Sequence, residues 1–179
     1  VVLDGMRSEL HQNRPQIVFV QGDTTTAFAA SLAAFYEKIP IAHVEAGLRT
    51  GELLDPYPEE ANRRLISQIA TLHFAPTEMA RMNLSNSGIK ENVFVTGNTI
   101  IDALQMISKI SKPFFIDGLN IENKNLILAT VHRRENWGEN LNNIALGLRN
   151  IIEENDSTIL LIPLHKNPRV REPLQKILK

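Results

Sequence analysis

The sequence predicts an α/β protein built on parallel sheet in two lobes, and three observations predict it. Short apolar runs rich in β-branched residues, such as Ile17-Val18-Phe19-Val20, alternate with helical stretches. Polar clusters recur where those runs end: Gln21-Gly22-Asp23, His43-Val44-Glu45, Thr96-Gly97-Asn98, His132 to Asn136 and His165 to Asn167. The rhythm breaks once, from Ser111 to Lys124, where Pro113, Gly118 and several Asn and Lys leave no clean period. That stretch reads as a linker between lobes spanning 1–112 and 113–179.

In chain order, Val2, Leu3, Met6 and Leu10 fall at helical spacing over residues 1–12, and Arg14-Pro15 stops the helix. Gln16 to Val20 reads as a buried strand. Thr24 or a neighbouring Thr is placed to cap an Ala-rich helix over 25–38, which Ile39-Pro40 ends. Ile41 to Val44 is the next strand, so the chain opens as a right-handed βαβ unit. The loop from Gly47 to Pro58 holds two Gly and two Pro, and loops of this length are usually functional. A helix follows from Pro58, with Glu59 and Glu60 in its first turn and Leu65, Ile66 and Ile69 expected inward. Leu72 to Ala75 is a strand. Thr77 caps a helix that Ser87-Gly88 closes. Val93 to Val95 is a strand, and Thr99 to Ile110 a helix with Ile100, Ile101, Leu104 and Ile107 expected inward. Beyond the linker, Leu126 to Val131 reads as a buried strand. An amphipathic helix follows with Leu141, Ile144, Ala145, Leu148, Ile151 and Ile152 on one face. Ile159 to Leu164 is the next strand and a last helix follows.

The totals narrow the function. A net charge of -1 over 179 residues argues against nucleic-acid binding by bulk electrostatics. No apolar run approaches the roughly 18 residues of a membrane span. The chain has no cysteine, which removes disulfides and thiolate metal sites and fits a reducing, cytoplasmic compartment. No HExxH or closely spaced His/Asp set appears, so no metal is expected. There is no Gly-x-Ser-x-Gly, no GxGxxG and no P-loop, which disfavours serine hydrolase, dinucleotide and NTPase chemistry. The first residues read as mid-helix and the last helix ends abruptly at Lys179, so the chain is expected to be a fragment cut at both ends.

The segment from Ala42 to Arg64 concentrates carboxylates and arginines: Glu45, Glu59 and Glu60 with Arg49, Arg63 and Arg64, after Asp23 on the preceding strand end. Ligands bind at the carboxyl ends of parallel strands, and carboxylates gathered there suit proton transfer at carbon. Each has a plainer reading. Asp23 fits a helix N-cap, Glu45 a pairing with Arg49 or Arg63, and Glu59 and Glu60 the helix dipole. His132 beside Arg133 and Arg134 concentrates positive charge where a diphosphate fits. His165 is equally compatible with a structural role, and His11, His43 and His73 read as structural.

Six segments occur in order: Gln21 to Thr26 (QGDTTT), His43 to Thr50 (HVEAGLRT), Pro58 to Arg63 (PEEANR), Thr96 to Asp102 (TGNTIID), Thr130 to Asn136 (TVHRREN) and Pro163 to Pro168 (PLHKNP). Together they closely resemble the non-hydrolysing UDP-N-acetylglucosamine 2-epimerases over essentially the whole chain. The resemblance implies a GT-B-like fold of two Rossmann-like lobes, both incomplete here. It implies reversible epimerisation of UDP-GlcNAc to UDP-ManNAc by elimination and re-addition of UDP through a 2-acetamidoglucal, with no metal or nicotinamide cofactor. By motif match, Asp23, Glu45 and Glu59 are the catalytic carboxylates, and His132 is an active-site histidine that contacts the nucleotide sugar with Asp23, Glu45 and Arg134. Glu59, Arg133 and His165 match positions implicated in binding a second UDP-GlcNAc as activator. A homodimer and a place in cell-envelope polysaccharide synthesis are implied as well. The chain is shorter than full members, which predicts little or no turnover by these residues alone. The alternatives are a hydrolysing epimerase releasing ManNAc and UDP, and a GT-B-type nucleotide-sugar binding or transfer protein.

Overall fold

The structure is a computed structural model, and it describes residues 1–110 and 115–179. The linker expected over 111–124 therefore lies partly outside the described residues. Within its described part, Ile116 and Leu119 form an isolated antiparallel bridge. The chain divides into two compact units, Val1–Ser111 and Lys112–Lys179, each built on its own parallel sheet.

The first unit runs α1 (Val2–Asn13), β1 (Val18–Gln21), α2 (Thr25–Tyr36), β2 (Ile41–Val44), α3 (Glu59–Ile69), β3 (Leu72–Ala75), α4 (Glu78–Asn86), β4 (Val93–Val95) and α5 (Thr99–Ile110). Its strands stand in the order β1-β2-β3-β4, all parallel. Arg14 closes α1 in the left-handed conformation, its N–H bonded to the Leu10 carbonyl. Thr24 and Thr77 cap α2 and α4 by accepting from the N–H groups of Ala27 and Ala80, as their positions before helical runs require. Small side chains let α2 approach the sheet closely. Ala33 and Ala34 are fully buried in a core with Leu10, Val20, Ile39, Ile41 and Ile66.

Four expectations about packing need correction. The β1 strand is not buried on both faces: Phe19 is 62% exposed and its ring stacks beside Phe74, which in turn meets Phe94. Leu65 points outward, because the buried face of α3 is largely polar: Glu60, Asn62, Arg63 and Ser67, with Ile66. Ile100, Ile101, Leu104 and Ile107 on α5 are all more than half exposed, since no described element covers that stripe. An apolar stripe states that a helix wants cover and not what supplies it.

The second unit runs β5 (Asn125–Leu128), a 3-10 turn (Arg134–Asn136), α6 (Glu139–Glu153), β6 (Thr158–Leu161) and α7 (Pro168–Ile177). The two strands pair in parallel, Leu126 opposite Ile159. Leu141, Ala145, Val170 and Leu174 form its buried core between α6 and α7. Here lies the fourth correction: β5 is largely uncovered, with Leu128 64% exposed, while α6 makes its main strand contact with β6. Ile151 on α6 is exposed as well. Asn167 accepts from the Arg169 N–H and Pro168 takes the first helical position, which fixes the start of α7. Among the described residues no helix is long and apolar enough to cross a membrane.

Candidate active site

The register of β1 on β2 sets the site. Gln21 stands opposite Val44, so the chain leaves the two neighbouring strands with Gly22-Asp23 beside Glu45. The Gly22 N–H donates to the Val44 carbonyl at 3.0 Å, and the Ala46 N–H donates to the Phe74 carbonyl at 3.0 Å. Between these bonds Glu45 adopts φ 68°, a left-handed conformation that is uncommon for a residue with a side chain. Gly47 follows at φ 89°, packed so closely on α4 that a Cβ would lie 2.2 Å from the Ala80 carbonyl oxygen. Asn83 of α4 donates its side-chain amide to the Gly47 carbonyl at 3.0 Å. The turn that presents Glu45 is therefore held from both sides.

The α3 helix holds Asp23. Arg63 Nη2 donates to Asp23 Oδ2 at 2.5 Å, and Asn62 Nδ2 donates to the Asp23 main-chain oxygen at 2.9 Å. Glu59 lies three and four residues before this pair, on the same face of the helix and one turn nearer its start. Three of the expected site carboxylates, Asp23, Glu45 and Glu59, thus belong to the sheet edge and the one helix packed across it. Glu60 has a different place. Its side chain is fully buried, takes Arg64 Nε at 2.8 Å and Arg63 Nη1 at 3.4 Å, and accepts from the Thr50 N–H at 3.2 Å. A dipole preference alone does not describe it: it ties the long loop to the helix and steadies Arg63.

Glu45 does not pair with Arg49 or Arg63. Arg49 donates to the Leu48 carbonyl at 2.7 Å and to Ser67 Oγ at 3.1 Å, while Arg63 is taken by Asp23 and Glu60. Instead Glu45 Oε2 accepts from Gln21 Nε2 at 2.7 Å. Asp23 does not cap α2, since Thr24 does. Gln21 and Asn62, which hold Glu45 and the Asp23 main chain, are residues that reasoning from charge passed over. The available signal was position, Gln21 as the last residue of a strand and Asn62 one turn after Glu59.

His43 and His73 lie opposite one another on β2 and β3, both buried. Burial lowers the His43 pKa to about 4, against the opposing pull of its bond to the Gly22 carbonyl. That bond, from Nε2 at 2.9 Å, fixes the tautomer and leaves Nδ1 unprotonated and, among the described residues, without a partner. Burial lowers His73 as well. Both are neutral supports beneath the strand ends, and burial also lowers the pKa of Arg49 nearby.

In the second unit the expected residues gather after β5 and β6. The His132 and His165 rings lie nearly parallel with centroids 6.4 Å apart. His165 Nδ1 accepts from the Asn167 N–H at 3.1 Å, which leaves its proton on Nε2. Arg134 opens the 3-10 turn, and Arg133 just before it reaches Glu135 at 3.4 Å. His132, Arg133, Arg134 and His165 are all exposed, two guanidinium groups and two imidazoles on the loops that follow the strands. Among the described residues no group of three or more His, Asp or Glu is placed to hold a metal ion. An apolar hollow of about 780 Å³ in this unit, lined by Ile159, Leu161, Leu174 and Leu178 among others, contains none of these residues.

Comparison with known proteins adds independent findings. A family profile described as UDP-N-acetylglucosamine 2-epimerase matches residues 1–179. The UDP-N-acetylglucosamine 2-epimerase of Neisseria meningitidis serogroup A is 47% identical over 190 residues, covering 99% of this chain and 50% of that protein. A crystal structure of the N. meningitidis enzyme bound to UDP-GlcNAc superposes with a TM-score of 0.85 at 46% identity, covering 99% of this chain and 50% of that one. An S. aureus MnaA–UDP co-structure gives a TM-score of 0.90 at 45% identity, covering 99% and 48%. The chain thus spans about half the length of the relatives it matches.

Proposed function

The chain belongs to the UDP-N-acetylglucosamine 2-epimerase family, and on that premise we propose that the protein carrying it interconverts UDP-GlcNAc and UDP-ManNAc without hydrolysis. The observation that carries the proposal is the placement of Asp23 and Glu45 at the carboxyl ends of neighbouring parallel strands, with Glu59 on the helix packed across them. Epimerisation at C2 needs a base for the C2 proton and an acid that returns a proton to the opposite face, and clustered carboxylates supply both. In the proposed reaction a carboxylate takes the C2 proton, the C1–O bond breaks, and its electron pair leaves with the UDP oxygen. The product is a 2-acetamidoglucal. Re-addition of UDP at C1, with protonation of C2 from the other side, gives the epimer. His132 and Arg134 are proposed to face the diphosphate and stabilise the charge of the leaving group. Glu59, Arg133 and His165 are proposed to receive a second UDP-GlcNAc as activator, and the working protein is proposed to be a cytoplasmic homodimer.

The experiment is proton NMR of the protein carrying this chain with UDP-GlcNAc in heavy water. Loss of the C2 proton signal as UDP-ManNAc appears is the expected result. Free ManNAc with UDP would replace the proposal by a hydrolysing epimerase. Binding without exchange would replace it by nucleotide-sugar binding or transfer.

A further inference from the structure

Resting on that reading, we propose that Gln21 is a positioning residue for the reaction: it fixes the Glu45 carboxylate and decides which of its two oxygens faces the sugar. The fold fixes the Glu45 backbone and leaves its side chain loose. Bonds from the Gly22 and Ala46 N–H groups pin the strand end, and α4 packs against Gly47. What remains free are the torsions of an unbranched side chain, and disorder in these is what a reacting carboxylate must lose before it meets a C–H bond.

Gln21 Nε2 donates to Glu45 Oε2 at 2.7 Å, a short bond of the kind made to a charged acceptor. Among the described residues it is the one hydrogen bond to that carboxylate, and no cation pairs with Glu45. The donor is therefore an uncharged amide. An amide orients the group without the strong neutralisation an arginine would bring, and it leaves Oε1 with both lone pairs available. The adjoining backbone keeps the contact open. Gly22 has φ 72°, and the nearest atom to a Cβ built there would be the same Glu45 Oε2 at 3.7 Å. A side chain at position 22 would stand against the oxygen that Gln21 holds.

Asp23 has its own support in Arg63 and Asn62. The two carboxylates are thus held by different chemistry, one by a cation and one by a neutral donor, which is how two like groups are given different parts in one reaction.

The test is a double-mutant cycle in the protein carrying this chain, read by C2 proton exchange and turnover. Gln21→Leu should lower kcat by about tenfold, with KM changed by less than about twofold. Gln21 is exposed, so thermal stability should hold and separate this effect from unfolding. Glu45→Asp draws the carboxylate back beyond reach of the Gln21 amide. In that background Gln21→Leu should change kcat by less than about twofold. An equal loss in both backgrounds, a change in KM alone, or no loss in either would overturn the inference. If the parent itself shows no C2 exchange, the functional reading falls and takes the inference with it. An active parent with an unaffected Gln21 variant overturns the inference alone.

Discussion

Arg63 Nη2 lies 2.5 Å from Asp23 Oδ2 while the same guanidinium stands 3.4 Å from the buried carboxylate of Glu60. One cation serves two anions, one at the strand end and one inside the helix face. Arg63 is itself largely buried, its side chain 11% exposed, so solvent does little to screen either contact.

Removing Arg63 should therefore cost more than an ordinary surface pair. Arg63→Met leaves Glu60 with Arg64 and the Thr50 N–H as its partners and leaves the Asp23 carboxylate with no cation among the described residues. Breaking a buried pair from one side costs about 3–5 kcal/mol. Arg63→Lys should lose less, because a charge remains, but a point charge does not bridge both carboxylates as the planar fork does. Urea denaturation checks this, and a loss below about 1 kcal/mol for Arg63→Met would remove the bridge from the account.

The Glu45 turn makes a steric prediction with an internal control. An alanine at Gly47 would set its Cβ 2.2 Å from the Ala80 carbonyl oxygen and 2.8 Å from the Ala80 carbonyl carbon, both backbone atoms that cannot swing away. Gly51 has nearly the same left-handed φ, 94° against 89°, with nothing within 4 Å. Gly51→Ala should cost about 1 kcal/mol from conformation alone, and Gly47→Ala at least about 3 kcal/mol. Equal melting temperatures for the two variants would show that the α4 contact does not hold the turn.

The candidate carboxylates should separate from their structural neighbour by kinetics. Asp23→Asn and Glu45→Gln are each expected to lower C2 exchange by about 10²–10⁴-fold while the protein still binds UDP-GlcNAc. Glu60→Gln should act chiefly on stability, because Glu60 is fully buried and its carboxylate is taken up by Arg63, Arg64 and Thr50. Isothermal calorimetry beside the exchange assay distinguishes the two behaviours. Full exchange by Asp23→Asn would remove it from the reaction.

These contrasts mark where the sequence was legible. Apolar run, cap and helix repeat locally, so β1 to β4 and the Thr24 and Thr77 caps could be read from neighbours in the chain. Asp23, Glu45 and Glu59 could be singled out from the sequence because strand ends and a helix start are where such groups collect. Which arginine meets which carboxylate was not. Glu45 has Arg49 four residues away, yet its partner is Gln21, brought to it by the pairing of β1 with β2. Leu65 and the α5 stripe failed for a related reason: periodicity says that a face exists, whereas tertiary contact decides what the face meets. The buried side of α3 is polar because it lies over Asp23 and the loop at Thr50, a fact that no hydropathy pattern carries.

The buried histidines give the fold an acid limit. His43 is fully buried, and its pKa is lowered from 6.5 to about 4, chiefly by burial. The folded protein therefore keeps His43 neutral down to about pH 4, while the unfolded chain takes up a proton near 6.5. Between those values the unfolded state binds more protons, so stability falls as pH falls. The contribution is fully present above pH 6.5 and is lost progressively below it, and the loss reaches about 3 kcal/mol once the pH is below the folded pKa. His73, lowered in the same direction, adds to the trend. His43→Gln keeps an N–H donor for the Gly22 carbonyl and removes the titration. Its stability should fall less steeply over this window, by about 1.4 kcal/mol per pH unit relative to the parent. Denaturation at a series of pH values measures the slope directly. Parallel curves for parent and variant would mean that His43 takes up its proton as readily in the folded protein as in the unfolded chain, and that the acid sensitivity lies elsewhere.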